Sequence, residues 1–100
     1  MEHIFERTER LIGTEALNKL KNSKVCVFGV GGVGSHCIEA LARGGIGKLV
    51  IVDSDSVVKS NINRQLVALH STLGKKKVEV MKERILDINP DATVEALAVF

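Results

Sequence analysis

Gly29, Gly31 and Gly34 carry the G-x-G-x-x-G spacing inside the stretch VCVFGVGGVGSH, residues 25–36. That spacing belongs to nucleotide-binding turns between a strand and a helix. Gly29 permits a tight exit from the strand, Gly31 lets backbone amides approach a phosphate without a Cβ in the way, and Gly34 lets the helix pack close to the strand. Free N–H groups at the helix start, together with the positive end of its dipole, then favour an anion. Asp53 stands nineteen residues after Gly34 at the end of the next apolar run. A carboxylate at that place accepts hydrogen bonds from both ribose hydroxyls and repels a 2′-phosphate, which disfavours NADP. Asp55 either supports the same site or caps the loop that follows.

These residues alone fit NAD as well as ATP, so an NAD-dependent oxidoreductase stands as one alternative. The discriminating segment is Ser60-Asn61-Ile62-Asn63-Arg64-Gln65, which brings Asn61, Arg64 and Gln65 to the rim where the glycine turn ends. A single pyrophosphate is served by a helix N-terminus, whereas a triphosphate broken at one bridge needs cations aimed at its outer phosphates. Arg64 can act as a forked phosphate donor and Lys77 as a point charge. Lys75 and Lys76 read as a solvated face beside them.

The elements that must position these residues are legible from periodicity. Lys24–Phe28 is a continuous apolar strand of the kind expected when both faces of a sheet are covered. A helix follows from about Gly34 to Arg43, with Ile38, Leu41 and Ala42 inward, and the glycines at 44, 45 and 47 stop it. Leu49–Val52 forms a second buried strand. From about Gly74 an amphipathic helix runs to Ile88, with Val78, Met81, Ile85 and Ile88 on one stripe, and Asn89-Pro90 ends it. Ala92–Phe100 reads as a third strand. Ahead of all this, residues 14–23 form a short helix with Thr14 as N-cap, after a charged stretch ending in Gly13. The order β-α-β-α-β is the α/β, Rossmann-like half of a doubly wound, mainly parallel sheet, with strands arranged 3-2-1. Residues 1–23 are an N-terminal arm and helix, and residues 24–100 are the N-terminal half of a nucleotide-binding domain. The apolar end at Ala98-Val99-Phe100 predicts that the chain is the N-terminal portion of a longer protein, since the ligand crevice needs a second wall. A non-catalytic fragment that binds nucleotide weakly is therefore another expectation for the chain alone.

Composition narrows the rest. One hundred residues make one domain at most, and 45% hydrophobic residues with three Phe and no Tyr or Trp give an aliphatic core. A formal charge of +2 is too small to call for a membrane or nucleic-acid partner by itself. No apolar run is long enough to span a bilayer and Met1–Arg10 has no signal-peptide pattern, so the expected compartment is the cytoplasm. Cys26 and Cys37 lack C-x-x-C spacing and read as buried small hydrophobes. His3, His36 and His70 have no metal-like partner at helical spacing, and no metal ligand is assigned within the chain.

With GVGGVGS, DSDSVVKSNINRQ and GKKKVEVMKERILDINPDA in place, the sequence resembles the ubiquitin-activating-type adenylating enzymes, including the ThiF, MoeB and HesA proteins. The resemblance covers nearly the whole chain. It implies ATP-dependent, Mg2+-assisted adenylation of a carboxylate with release of pyrophosphate. It further implies that Gly32 and its neighbours line the nucleotide, that Asp53 binds the ribose, and that Asn61, Arg64 and Lys77 contact the phosphates while Gln65 supports the loop. Arg7 matches an arginine that reaches the phosphates from the partner subunit of a homodimer, with Arg10 a second candidate. The magnesium-binding acid and the zinc-binding cysteine pairs of many members would follow residue 100. Within the family, RTERLIG and NRQLVALHSTLGKKKVEVMKERILDINP look most like the tRNA threonylcarbamoyladenosine dehydratases. That branch implies a tRNA partner. The alternative partner is a ubiquitin-like sulfur-carrier protein, activated at its C-terminus.

Overall fold

In the computed structural model, residues 3–99 are described. Three parallel strands, β1 (Lys24–Phe28), β2 (Lys48–Val52) and β3 (Thr93–Leu97), form one sheet with β2 in the centre. The register aligns Val25, Leu49 and Val94 across the sheet, and Phe28, Val52 and Leu97 at its carboxyl end. Helix α3 (Gly32–Arg43) connects β1 to β2, and α4 (Lys77–Ile88) leads into β3. Right-handed crossovers that step in one direction along a sheet put both helices on the same face. Ile38 and Ala42 of α3 and Val78, Met81 and Ile85 of α4 accordingly share one core with Leu49, Ile51 and Val94. The expected α/β fold with strand order 3-2-1 is the one observed.

Several expectations need correction. The strands are not covered on both faces: with α3 and α4 on one side, alternate side chains face the other, and Cys26 and Phe28 of β1 are exposed. Cys26 therefore is not buried. Nor is Cys37, which lies on the outward stripe of α3 with Val33 and His36. Thr14 is the first residue of α2 (Thr14–Lys21) rather than its cap; Gly13, at φ 90°, holds the cap position with no side-chain hydrogen bond. Finally, α4 begins at Lys77, because Gly74 turns at φ 84° and the next residues run extended against Ser56 and Val57. The third strand, Thr93–Leu97, is also shorter than expected. It ends at Leu97, and Phe100 lies outside the described residues, as do Met1 and Glu2.

Ahead of α2, within the expected N-terminal arm, lies a further helix, α1 (Glu6–Ile12). Phe5, buried just before it, anchors it where the strands begin, in a cavity shared with Lys48 and Thr93. Among the described residues no helix is long and apolar enough to cross a membrane.

An ion-pair cluster joins the two core helices. Arg84 donates to Glu39 across the α3–α4 contact, and Arg43 Nε approaches the other Glu39 oxygen at 3.6 Å. The Arg84 hydrogen bond, aided by the charges of Arg84 and Arg43 and opposed by burial, holds the Glu39 carboxyl below its ordinary range. A depressed folded-state pKa adds stability above the unfolded value, and that stability is lost as pH falls through the folded one. Arg84→Ala is expected to cost about 1 kcal/mol near neutral pH. Urea unfolding measured at neutral and acidic pH should show that difference vanish once Glu39 is protonated.

Candidate functional site

The glycine turn and the end of β2 meet through Asp53. Gly29, at φ 98°, turns the chain out of β1, and its N–H bonds Val52 O at 2.8 Å. Asp53 Oδ2 then accepts from Val30 N at 2.7 Å, while Oδ1 accepts from Asp55 N at 2.7 Å. Each carboxylate oxygen keeps a further lone pair for a ligand. Helix α3 starts at Gly32, two residues before the expected position, and its first backbone bond runs from Ser35 N to Gly31 O at 2.9 Å. The N–H groups of Gly32, Val33 and Gly34 are thus free at the positive end of the helix. A Cβ on Gly34 would stand 1.9 Å from Gly29 O, so the close strand–helix approach expected of this glycine is present in the structure.

Beside the turn, a cavity of about 360 Å³ is lined by Phe28, Gly29, Val52, Asp53, Asp55 and Val99. Its apolar wall at the carboxyl end of the strands, next to the Asp53 carboxylate, suits a flat heterocycle. Sequence reading missed Phe28, Val52 and Val99, because an apolar strand end carries no signal beyond that of the core.

The arginine loop closes over the glycines. Arg64 Cγ and Cδ lie 3.6 Å from where a Gly32 Cβ would stand. Its Nη1 donates to Ser60 O and Asn63 Oδ1, both at 2.9 Å, which aims an otherwise exposed guanidinium. Gln65 is buried with its Nε2 3.7 Å from the corresponding Gly31 position, and its Oε1 is buried without a hydrogen-bond partner among the described residues. Asn61 is also buried, its Oδ1 accepting from Val58 N at 3.0 Å, so this end of the amide holds the loop together. A further residue missed in the sequence, Ser35, joins the two segments. Ser35 Oγ donates to Gly31 O and accepts from Leu66 N at 3.4 Å, a helix-start hydroxyl bonding back one turn. His36 adds Nε2 at 3.3 Å from Arg64 O.

Lys77 opens α4 with its side chain 7% exposed and its Nζ 3.9 Å from Asp55 Oδ2. Lys75 and Lys76 are exposed. The chain therefore gathers Gly29, Gly31, Gly32, Gly34, Asp53, Asp55, Asn61, Arg64, Gln65 and Lys77 along one rim. Arg7 and Arg10 are not part of it, since α1 is anchored where the strands begin, at the opposite end of the sheet. No group of three or more His, Cys, Asp or Glu among the described residues could hold a metal ion. Asp53 and Asp55 are two carboxylates only, and Asp55 faces Lys77, so these residues do not by themselves make up a magnesium site.

Known proteins are similar to this chain in sequence and fold. The tRNA threonylcarbamoyladenosine dehydratase of Bacillus subtilis (strain 168) is 57% identical over 100 residues, covering all of this chain and 39% of the relative. The crystal structure of E. coli tRNA N6-threonylcarbamoyladenosine dehydratase in complex with ATP superposes with a TM-score of 0.94 at 47% identity, over 96% of this chain and 40% of that one. The SAMP-activating enzyme E1 of Haloferax volcanii is 40% identical over 84 residues, which is 84% of this chain and 31% of that protein. The chain thus spans about two fifths of the length of its dehydratase relatives. The family model described as the ThiF family matches residues 5–100, a span that includes the glycine turn, Asp53 and the arginine loop, and the chain belongs to the ThiF family.

Proposed function

We propose that the protein containing this chain uses ATP to adenylate a carboxylate, and that the carboxylate is the threonyl group of threonylcarbamoyladenosine in tRNA. The observation that carries this reading is the packing of Arg64 over Gly32, which aims a forked cation across the phosphate cradle beside Asp53. A single pyrophosphate, as in NAD, is already served by the helix N-terminus, whereas a triphosphate needs a further cation. In the reaction a carboxylate oxygen attacks the α-phosphorus of ATP, the bond to the bridging oxygen breaks, and pyrophosphate leaves. The substrate's own amide then attacks the activated acyl carbon, AMP leaves, and the net change is the loss of one water. Free N–H groups of α3 hold the phosphates, Asp53 holds the ribose, and Arg64, Asn61 and Lys77 offset the negative charge that develops. Gln65 supports the loop. Mg2+, when bound, would offset phosphate charge, and no step here depends on a metal ligand from these residues.

Residues 24–100 are then the N-terminal half of the adenylation domain, and residues 1–23 an arm that serves a homodimer. The position of Arg7, away from its own chain's rim, supports its delivery to the phosphates of a second copy. The compartment is the cytoplasm, where tRNA and ATP are found together. The resemblance to the Haloferax volcanii activating enzyme favours one other reading, adenylation of a ubiquitin-like sulfur-carrier C-terminus. Incubating the full-length protein with ATP and tRNA bearing threonylcarbamoyladenosine separates the two. The proposed function predicts a nucleoside lighter by one water; an unchanged nucleoside, with a sulfur-carrier protein adenylated instead, favours the other.

Asp53→Asn tests the nucleotide assignment. The amide keeps one acceptor but turns an N–H donor toward either Val30 N or Asp55 N. Losing one charged hydrogen bond of this kind costs about 1.5–3 kcal/mol. Titration with ATP should therefore show affinity weakened by roughly tenfold or more.

A further inference from the structure

We infer that Asp55 is a positioning residue for Lys77, holding its ammonium at the rim and releasing it to a phosphate; this rests on the reading of Lys77 as a phosphate ligand. The two residues are joined by backbone as well as by side chain. Lys77 N donates to Asp55 O at 3.1 Å, Val57 N to Lys75 O at 2.8 Å, and Gly74 N to Val57 O at 2.9 Å. Ser56 and Lys76 form an antiparallel bridge between them. This small ribbon brings the first residue of α4 to the end of β2, so the lysine and the acid arrive as a unit.

The electrostatics give the acid its task. A lysine at the N-terminal end of a helix sits against the positive end of the dipole, which pushes its charge away. The Lys77 stem is buried, so the ammonium has little freedom to leave the rim. Asp55 supplies the opposing charge, at 3.9 Å and with its own side chain 68% exposed. That separation is long for a direct hydrogen bond and the carboxylate is bathed in solvent, which makes the pair loose. A phosphate carries more charge and can form a direct bond, so it displaces the carboxylate without moving the backbone. Asp53, two residues earlier, is fixed at the glycine turn by Val30 N and Asp55 N, and it is Asp55 that faces Lys77.

Asp55→Asn in the full-length protein tests this assignment. The exposed side chain and the backbone bonds through Asp55 N and O predict normal folding. A mispositioned cation should lower kcat for carboxylate-dependent pyrophosphate release by roughly tenfold to a hundredfold. KM for ATP should stay within about twofold, because the other phosphate contacts remain. Asp55→Glu, which keeps the charge, should recover most of the loss. In a double-mutant cycle, Asp55→Asn should add nothing once Lys77→Ala is present. Effects that multiply while Lys77→Ala alone is crippling would overturn the role of Asp55 and leave the reading of Lys77 intact. Full activity in Lys77→Ala would overturn both.

Discussion

Replacing Arg64 by alanine is expected to lower pyrophosphate release by about a hundredfold to a thousandfold while leaving the fold intact. The loss follows from removing one fixed donor aimed at charge that develops in the transition state. Intact folding follows from position: the side chain is exposed, its stem rests on a glycine, and its guanidinium bonds only to Ser60 O and Asn63 Oδ1. None of these contacts belongs to the buried core. Arg64→Lys should recover only part of the activity, since an ammonium cannot reproduce a forked contact with two phosphate oxygens. Steady-state pyrophosphate release and thermal melting, measured on the same preparations, separate a catalytic defect from a folding one. An alanine variant with full activity would remove the main support for a triphosphate in this site.

Gly34→Ala is expected to damage both the fold and the site. The added Cβ would stand 1.9 Å from Gly29 O and 2.8 Å from Gly29 C. Both are backbone atoms, so no flexible side chain can swing aside. The helix must move off the strand, and with it go the free N–H groups of the cradle and the Val30–Asp53 bond. Overpacking against backbone costs about 3 kcal/mol or more. For a domain of this size that lowers Tm by roughly 10 °C or more. Thermal unfolding with and without ATP is the measurement. A variant that melts normally and is still stabilised by ATP would contradict the proposed packing of α3 on β1. Gly32→Ala makes a useful contrast, because its Cβ would meet Arg64 only at ordinary contact distance, 3.6 Å.

Residues with a fixed geometric task were the legible ones. The glycine spacing, the apolar runs of β1 and β2 and the acid at the end of β2 are local patterns, and the folded chain joins them through the Val30–Asp53 bond. Helix α4 was legible along its buried stripe but not at its start. Whether residues 75 and 76 coil or extend depends on pairing with Ser56 and Val57, some twenty residues away. Helix α1 has no buried residue of its own, so it carries no apolar stripe, and what secures it is Phe5 just before it. The exposure of Cys26 and Phe28 was hidden for a different reason. An apolar run reports that a strand is apolar, while coverage depends on which face the helices take, and here α3 and α4 take the same one. Ser35 and the apolar cavity wall of Phe28, Val52 and Val99 were missed because a lone hydroxyl and an apolar strand end have many ordinary uses. Their part in the site is visible only where separate segments converge.

The most direct test of adenylation is the identity of the phosphate products. Full-length protein, ATP labelled at the α- and γ-positions and tRNA bearing threonylcarbamoyladenosine should yield AMP and pyrophosphate in equal amounts. Each equivalent should match one dehydrated nucleoside, and none should form without the tRNA. Attack at the α-phosphorus requires that pattern. Formation of ADP and inorganic phosphate in step with product would place the attack at the γ-phosphorus and contradict the account.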